Sequence, residues 1–229
     1  MKIIRVLGLC LAAALLSSCA SSVKIAGNTT FQWSSPSKRV LLVRPDVQLG
    51  DLSAGGTVEP RADWTKLAED FISADTKGLL QRKNIDLVVA DKEPTARDAQ
   101  VIKLHAVVGQ AVLTHLYIDA MKLPSKGNAL DWTLGPGTNG LRDEYGADYA
   151  LFVFVRDSYT STGRAIMMLG AAMFGVGIQG GTQVGFASLV DLRTGNIVWF
   201  NRIANSTGDL RTEKPAGKTV EDLLEGLPL

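Results

Sequence analysis

Cysteine and histidine are the side chains best suited to chemistry in this 229-residue chain, and there are two of each. His105 and His115 stand ten positions apart in a stretch of helical periodicity. That spacing puts them roughly 280° apart around the axis, so they do not converge on one ion as an i, i+4 pair does. Each is expected to be a packed or half-exposed helix residue. No His-Glu-x-x-His, paired cysteines or run of aspartates marks a metal site. The adjoining carboxylates Glu69 with Asp70, and Asp143 with Glu144, point apart on a helix and are expected to be solvated. The glycine-rich run "GIQGGTQ" (177–183) lacks the lysine of a phosphate-binding loop, and no Gly-x-Ser-x-Gly turn occurs. The expectation is a protein that is not an enzyme and holds no cofactor and no metal.

Cys19 is placed for a different chemistry. It lies in "LLSSCASS" (15–22), behind Lys2, Arg5 and an apolar core of eleven residues, "VLGLCLAAALL" (6–16). A charged start and a short apolar core make a secretory leader. Eleven residues fall well short of the roughly 20 that a membrane-spanning helix needs. Leu16, Ser17 and Ser18 before Cys19 resemble the bacterial lipobox. The resemblance implies that 1–18 is a lipoprotein signal peptide removed just before Cys19, that a diacylglycerol is attached to the sulfur, and that the new amine is acylated, with palmitate among the chains. The alternatives are an ordinary cleaved leader or a buried cysteine in an apolar helix; position, flanks and length favour lipidation. Cys10 follows the bulky Leu9 and suits cleavage poorly. In such lipoproteins an Asp directly after the cysteine favours the inner membrane, at least in enteric bacteria. Ala20 stands there, which implies a lipid anchor in the outer membrane, facing the periplasm.

Removing 1–18 leaves 211 residues with no spare thiol, hence no disulfide and no cysteine nucleophile. Losing Lys2 and Arg5 leaves 22 basic against 23 acidic side chains. A nearly neutral chain lacks the concentrated Lys and Arg that phosphate neutralisation requires, so no nucleic-acid partner is expected.

The elements that hold these residues follow from periodicity. The stretch 20–37 is small and polar, so 19–37 reads as a flexible, lipidated tether. Aliphatic residues over 39–44, ended by Pro45, predict a first core strand. Trp64, Leu67, Ala68, Phe71, Ile72, Leu79 and Leu80 recur at helical intervals, with Asp63 as a candidate N-cap and "VEPRADW" before them as a short extended return. "IDLVVAD" (85–91) is continuously apolar and suits a strand buried on both faces. A second helix is expected over 95–121, with Ile102, His105, Ala106, Gly109, Val112, Leu113, Leu116 and Tyr117 on its buried side. Pro124 and Pro136 make 123–140 a loop. A short helix leads to a central strand at 149–155. Two extended runs, 184–192 and 196–204, flank "RTGN" and predict a β-hairpin. After a stretch 208–217 that looks mobile, "KTVEDLLEGLP" (218–228) offers a terminal helix, making 208–229 a C-terminal tail. The fold class is α/β: a single sandwich-like domain over 38–207, its mixed sheet flanked by helices.

"GADYALFVFV" and "ASLVDLRTGNIVW" together resemble small bacterial envelope lipoproteins, a group that includes the curli secretion lipoprotein CsgG, the penicillin-binding-protein activator LpoB and the amino-terminal domain of TolB. The matching positions are Gly146, Ala147, Asp148, Asp191, Thr194, Gly195 and Trp199, within about sixty residues. They are structural rather than catalytic. Asp191 and Thr194 can hydrogen-bond the turn backbone, Gly195 permits its conformation, and Trp199 packs a face.

Between the matching strands lies an apolar, glycine-rich insert, 161–183. Its stretch 165–178 has fourteen residues without a charge, about 21 Å if helical against a hydrocarbon core of about 30 Å, too short to cross a bilayer straight. Gly170, Gly175 and Gly177 weaken a helix, while Ala171 and Gly175 form a small-xxx-small pair. Three readings are open. The insert packs under the sheet; or Ile166, Met167, Met168, Leu169, Met173, Phe174, Val176 and Ile178 form a surface for the membrane interface or another subunit; or, as in CsgG, it supplies a transmembrane β-hairpin. The last lacks the apolar-polar alternation of a membrane strand. The function expected is that of a binding or accessory subunit in envelope assembly, secretion or peptidoglycan regulation. Its partners are the membrane, through N-terminal acylation, and a protein or a second copy of itself. The alternative is an oligomeric channel or structural component related to curli-type export.

Overall fold

The structure, a computed structural model, describes residues 24–27, 33, 39–83, 85–90, 95–205 and 208–228; Cys19, the leader and most of 19–37 lie outside the described residues. In chain order the elements are β1 (Lys24–Gly27), β2 (Arg39–Leu42), β3 (Asp46–Leu52), β4 (Val58–Pro60), α1 (Ala62–Arg82), β5 (Asp86–Val89), α2 (Ala96–Tyr117), α3 (Asn139–Tyr145), β6 (Tyr149–Thr160), α4 (Thr162–Ala172), β7 (Gln183–Asp191), β8 (Ile197–Asn205) and α5 (Glu213–Leu223). The strands form one mixed sheet in the order β1, β8, β7, β6, β2, β5, with β3 also paired to β6 and β4 to β3.

β6 is the spine. Its side chains alternate between two faces, as a strand's must, and both faces are covered. Tyr149, Leu151, Val153 and Val155 join a core with Ala68, Ile72 and Leu80 of α1 and Ala216, Val220 and Leu223 of α5. Ala150, Phe152 and Phe154 join a second core with Val101, Val112 and Leu116 of α2 and Leu141 of α3. The chain is therefore α/β with helices on both faces of a mixed sheet. β6 runs to Thr160, five residues beyond the strand expected from sequence.

One long edge of β6 is shared by two strands in line. β2 pairs in parallel from Val40 opposite Tyr149 to Leu42 opposite Leu151, and β3 resumes at Asp46 opposite Phe154 and ends with Leu52 opposite Thr160. The break falls at Val43, Arg44 and Pro45, where proline has no N–H for the ladder. The expected single strand over 39–44 thus ends at Leu42, and its continuation β3 was hidden by Gln48, Gly50 and Asp51.

Four further expectations are corrected. Asp63 is not the cap of α1: Arg61 is, with no side-chain hydrogen bond, because its N–H still donates to the Leu49 carbonyl at 2.9 Å and the helix starts directly after it. Asp63 falls in the first turn, where a carboxylate favours the positive end of the helix dipole. β5 is not buried on both faces; among the described residues it pairs only with β2, at the sheet edge, and Leu87, Val88 and Val89 are half-buried. α2 ends at Tyr117 instead of 121, its start fixed by a capping box between Thr95 and Asp98. The stretch 208–217 is held in place: Leu210 and Ala216 are fully buried, and α5 already begins at Glu213. Within 20–37, the residues Lys24–Gly27 extend the sheet antiparallel to β8, and Trp33 meets Tyr149 edge-on at 4.8 Å.

Candidate functional site

The insert leaves the sheet where β6 ends. Ser161 caps α4, its Oγ accepting from the Arg164 N–H at 3.1 Å. Arg164 then closes the base: its guanidinium donates to the Gln179 carbonyl through Nε at 2.9 Å and Nη2 at 2.7 Å. Below it, the N–H of Gly181 donates to Thr160 Oγ1 at 2.8 Å and that of Thr182 to Ser158 Oγ at 3.0 Å. A Cβ on Gly181 would lie 1.9 Å from the Ser158 carbonyl oxygen, so only glycine allows the returning chain to pass this close.

Beyond that base the insert stands free. No residue of α4 is buried. Ile166, Met167, Leu169, Met173, Phe174 and Val176 are all exposed, from 38% at Met167 to 86% at Phe174; Met168 and Ile178 are half-buried. The reading in which the insert packs under the sheet is overturned. The transmembrane hairpin is not present either, since 162–172 is helical and 173–182 contains no strand. Among the described residues no helix is long and apolar enough to cross a membrane. A contiguous exposed apolar patch of this kind is the usual mark of a contact surface.

At the other end of β7 the hairpin turn is fully braced. Asp191 Oδ1 accepts from the N–H groups of Arg193 and Thr194 at 2.9 and 3.2 Å, and Thr194 Oγ1 accepts from the Asn196 N–H at 3.2 Å. Gly195 has φ +76°. The loop 132–138 lies over this turn: the Leu134 N–H donates to the Gly195 carbonyl at 2.8 Å, and the Ile197 N–H to the Trp132 carbonyl at 2.9 Å. Asp191, Thr194 and Gly195 thus sit together, far along β7 from the insert residues.

The two histidines do not meet. His105 shares a 2.7 Å hydrogen bond with Ser188 and stacks on Phe152 at 4.7 Å between ring centres; burial pushes its pKa down to about 3. Ser188 is wholly buried, so the pair is sealed from any substrate. His115 Nδ1 instead lies 2.7 Å from the Met121 carbonyl oxygen. Asp148 and Arg156 approach neither: they lie by Arg142 and Asp46 respectively. Among the described residues no group of three or more His, Cys, Asp or Glu could hold a metal ion. A cleft of about 560 Å³ between α1 and the Pro45 break contains Arg44, Lys66, Glu69, Asp70 and Lys77. Glu69 and Asp70, expected to be solvated, there meet Arg44 (3.7 Å) and Lys66.

Sequence reasoning missed one polar cluster, at the foot of the insert. Asp157 Oδ2 accepts from Tyr159 Oη at 2.6 Å and from Gln183 Nε2 at 3.1 Å, while the Leu210 N–H donates to Tyr159 Oη at 2.8 Å. Burial raises the Asp157 pKa to about 6, against the opposing pull of those two donors. Tyr159 is also raised, by burial and then by the carboxylate beside it. The cluster clamps the chain after β8 onto β6. The signal was available: Asp157 occupies an inward position in an otherwise apolar alternation.

The described residues define an α/β domain whose open feature is an apolar prong rather than a catalytic pocket. No protein-family model matches the sequence, and no curated protein matches it. In its fold the chain is similar to the PelC dodecamer from Paraburkholderia phytofirmans, at 13% identity and a TM-score of 0.41 over 90% of this chain and 95% of that one. It is also similar to lipoprotein GNA1162 from Neisseria meningitidis, at 16% identity and a TM-score of 0.36 over 83% and 99%, and to the LpoB C-terminal domain from Salmonella enterica, at 14% and 0.31 over 75% and 84%.

Proposed function

We propose that the chain is an outer-membrane lipoprotein, anchored through Cys19 and facing the periplasm, that works as a non-enzymatic accessory subunit of the envelope and makes its contact through the insert. The address comes from the leader and from Leu16, Ser17 and Ser18 before Cys19. The observation that carries the contact is the row of exposed side chains from Ile166 to Val176, held on a hydrogen-bonded base and left open by the described residues. Assembly, secretion and peptidoglycan regulation are the roles such a subunit serves. The alternative, an oligomeric channel or structural component, is separated from this reading by sizing the detergent-solubilised protein: a ring of several subunits supports it and a monomer argues against it.

A photo-crosslinking residue at position 174 tests this in intact envelopes. The expected result is an adduct on the insert, in a protein whose amino-terminal peptide has the mass of an acylated Cys19. A chain that forms no adduct, or that begins elsewhere with a free thiol, overturns the reading.

A further inference from the structure

We infer that the occupant of the insert is the lipid surface itself: the tip around Met173 and Phe174 enters the leaflet that holds the acyl chains of Cys19. This deepens the reading above and rests on it for the anchor. The placement comes from the sheet. β1 is antiparallel to β8, with Lys24 opposite Arg202 and Gly27 opposite Trp199. The amino-terminal end of β1 therefore points toward the end of the sheet where β8 finishes at Asn205, β7 begins at Gln183 and β6 delivers the insert after Thr160. Cys19 is five positions before Lys24, so it lies no more than about 18 Å from it. Anchor and prong belong to the same end of the molecule.

The composition fits a lipid surface. Across 161–183 there is no Asp or Glu, and the one charge, Arg164, is bound at the base to the Gln179 carbonyl. Exposure peaks at the tip, where Met173 is 85% and Phe174 86% exposed, against 66% at Ile166 and half-buried Met168 nearer the base. An eleven-residue helix is about 16 Å long. That is too short to span a bilayer but ample for the roughly 5–10 Å depth of interfacial insertion.

Proximity decides between lipid and a protein. A tether of five residues presents the bilayer to the insert as an intramolecular partner, at an effective concentration on the order of millimolar, whereas a protein must first be recruited. Acyl chains on a short tether also retain the domain without orienting it. A second contact at the same end fixes the long axis of the sheet against the membrane.

The chain has no thiol besides Cys10 and Cys19, so Phe174→Cys in the processed, acylated protein offers one reactive sulfur for an environment-sensitive fluorophore. The exposed Asp143, on α3 before the opposite end of β6, takes the same label as Asp143→Cys. In vesicles of phosphatidylethanolamine and phosphatidylglycerol, brominated acyl chains are expected to remove more than half the emission at 174 and leave that at 143 unchanged. An unquenched label at 174, or equal quenching at both positions, overturns the lipid contact. So does a label at 174 that changes only when envelope protein is added, which assigns the surface to a protein. Intact mass separates the two readings: an unacylated Cys19 overturns both, whereas an acylated chain with an unquenched 174 overturns only the lipid contact.

Discussion

β7 has a connection at each end, and the two are opposite in character. The link to β8, 192–196, is short, and nearly every polar group in it is tied, either within the turn through Asp191 and Thr194 or to the loop 132–138 laid across it. The link from β6, 161–182, is tied only at its foot, and above Arg164 it exposes aliphatic and aromatic side chains to solvent. One strand thus connects a region whose residues answer to the fold with one whose residues do not. Apolar surface that stabilises nothing within its own domain is the kind that commonly marks an interaction outside it.

The sharpest way to break this contrast is at Gly195. Its φ of +76° disfavours any L side chain, and a Cβ would lie 2.2 Å from the Gly135 carbonyl oxygen. Gly195→Val is expected to cost about 3 kcal/mol or more, read from the urea midpoint. An unchanged midpoint would mean that the turn is not locked after all.

A smaller effect is expected at the foot of the insert, and it depends on pH. The folded Asp157 pKa is about 6, above the ordinary 3.8, so the folded chain binds this proton more tightly than the unfolded chain does. Its contribution to stability is present in acid and is lost as pH rises through about 6. Asp157→Asn keeps an acceptor for Tyr159 and removes the charge. It is expected to be more stable than the natural chain by about 1–3 kcal/mol at pH 7.5, with the gap closing toward pH 4. His105, whose pKa is depressed, loses stability as pH falls below its ordinary 6.5, but that contribution is common to both proteins and cancels in the difference. A gap that does not change with pH would remove the titration from the account.

The smallest effect belongs to the prong. Leu169→Ser combined with Phe174→Ser is expected to shift stability by no more than about 0.5 kcal/mol, as exposed positions do. A loss beyond about 2 kcal/mol in thermal or urea unfolding would show that these side chains pack on the domain, and the contrast between the two links would vanish.

The same contrast explains what could be read from the amino acids. The hairpin was legible because Asp191, Thr194 and Gly195 act within five residues of one another, and local chemistry leaves a local signature. The faces of α1 and α2 were legible because Ile72 with Leu80, and His105 with Val112, recur at helical spacing. β3 was not, since Gln48, Gly50 and Asp51 interrupt its alternation and it is held by β6, far along the chain. Nor was the edge position of β5: an apolar run states a preference for cover and not whether a neighbour supplies it. The insert failed for that reason too. "AIMMLGAAMFGVGI" is equally consistent with a core and with a surface until the rest of the molecule is in place.

The register of β1 has a consequence for the order of events in making the protein. Lys24 belongs to the first stretch of the domain to be synthesised, yet its partner Arg202 is near the last. Nearly the whole chain must be delivered before this strand can close, and such long-range closures are slow. Until then the outer edge of β8 is an unpaired ladder open to any extended segment nearby. The interval before that closure is therefore when this chain is most exposed to the wrong strand, and when the segment that carries Lys24 has yet to find its place.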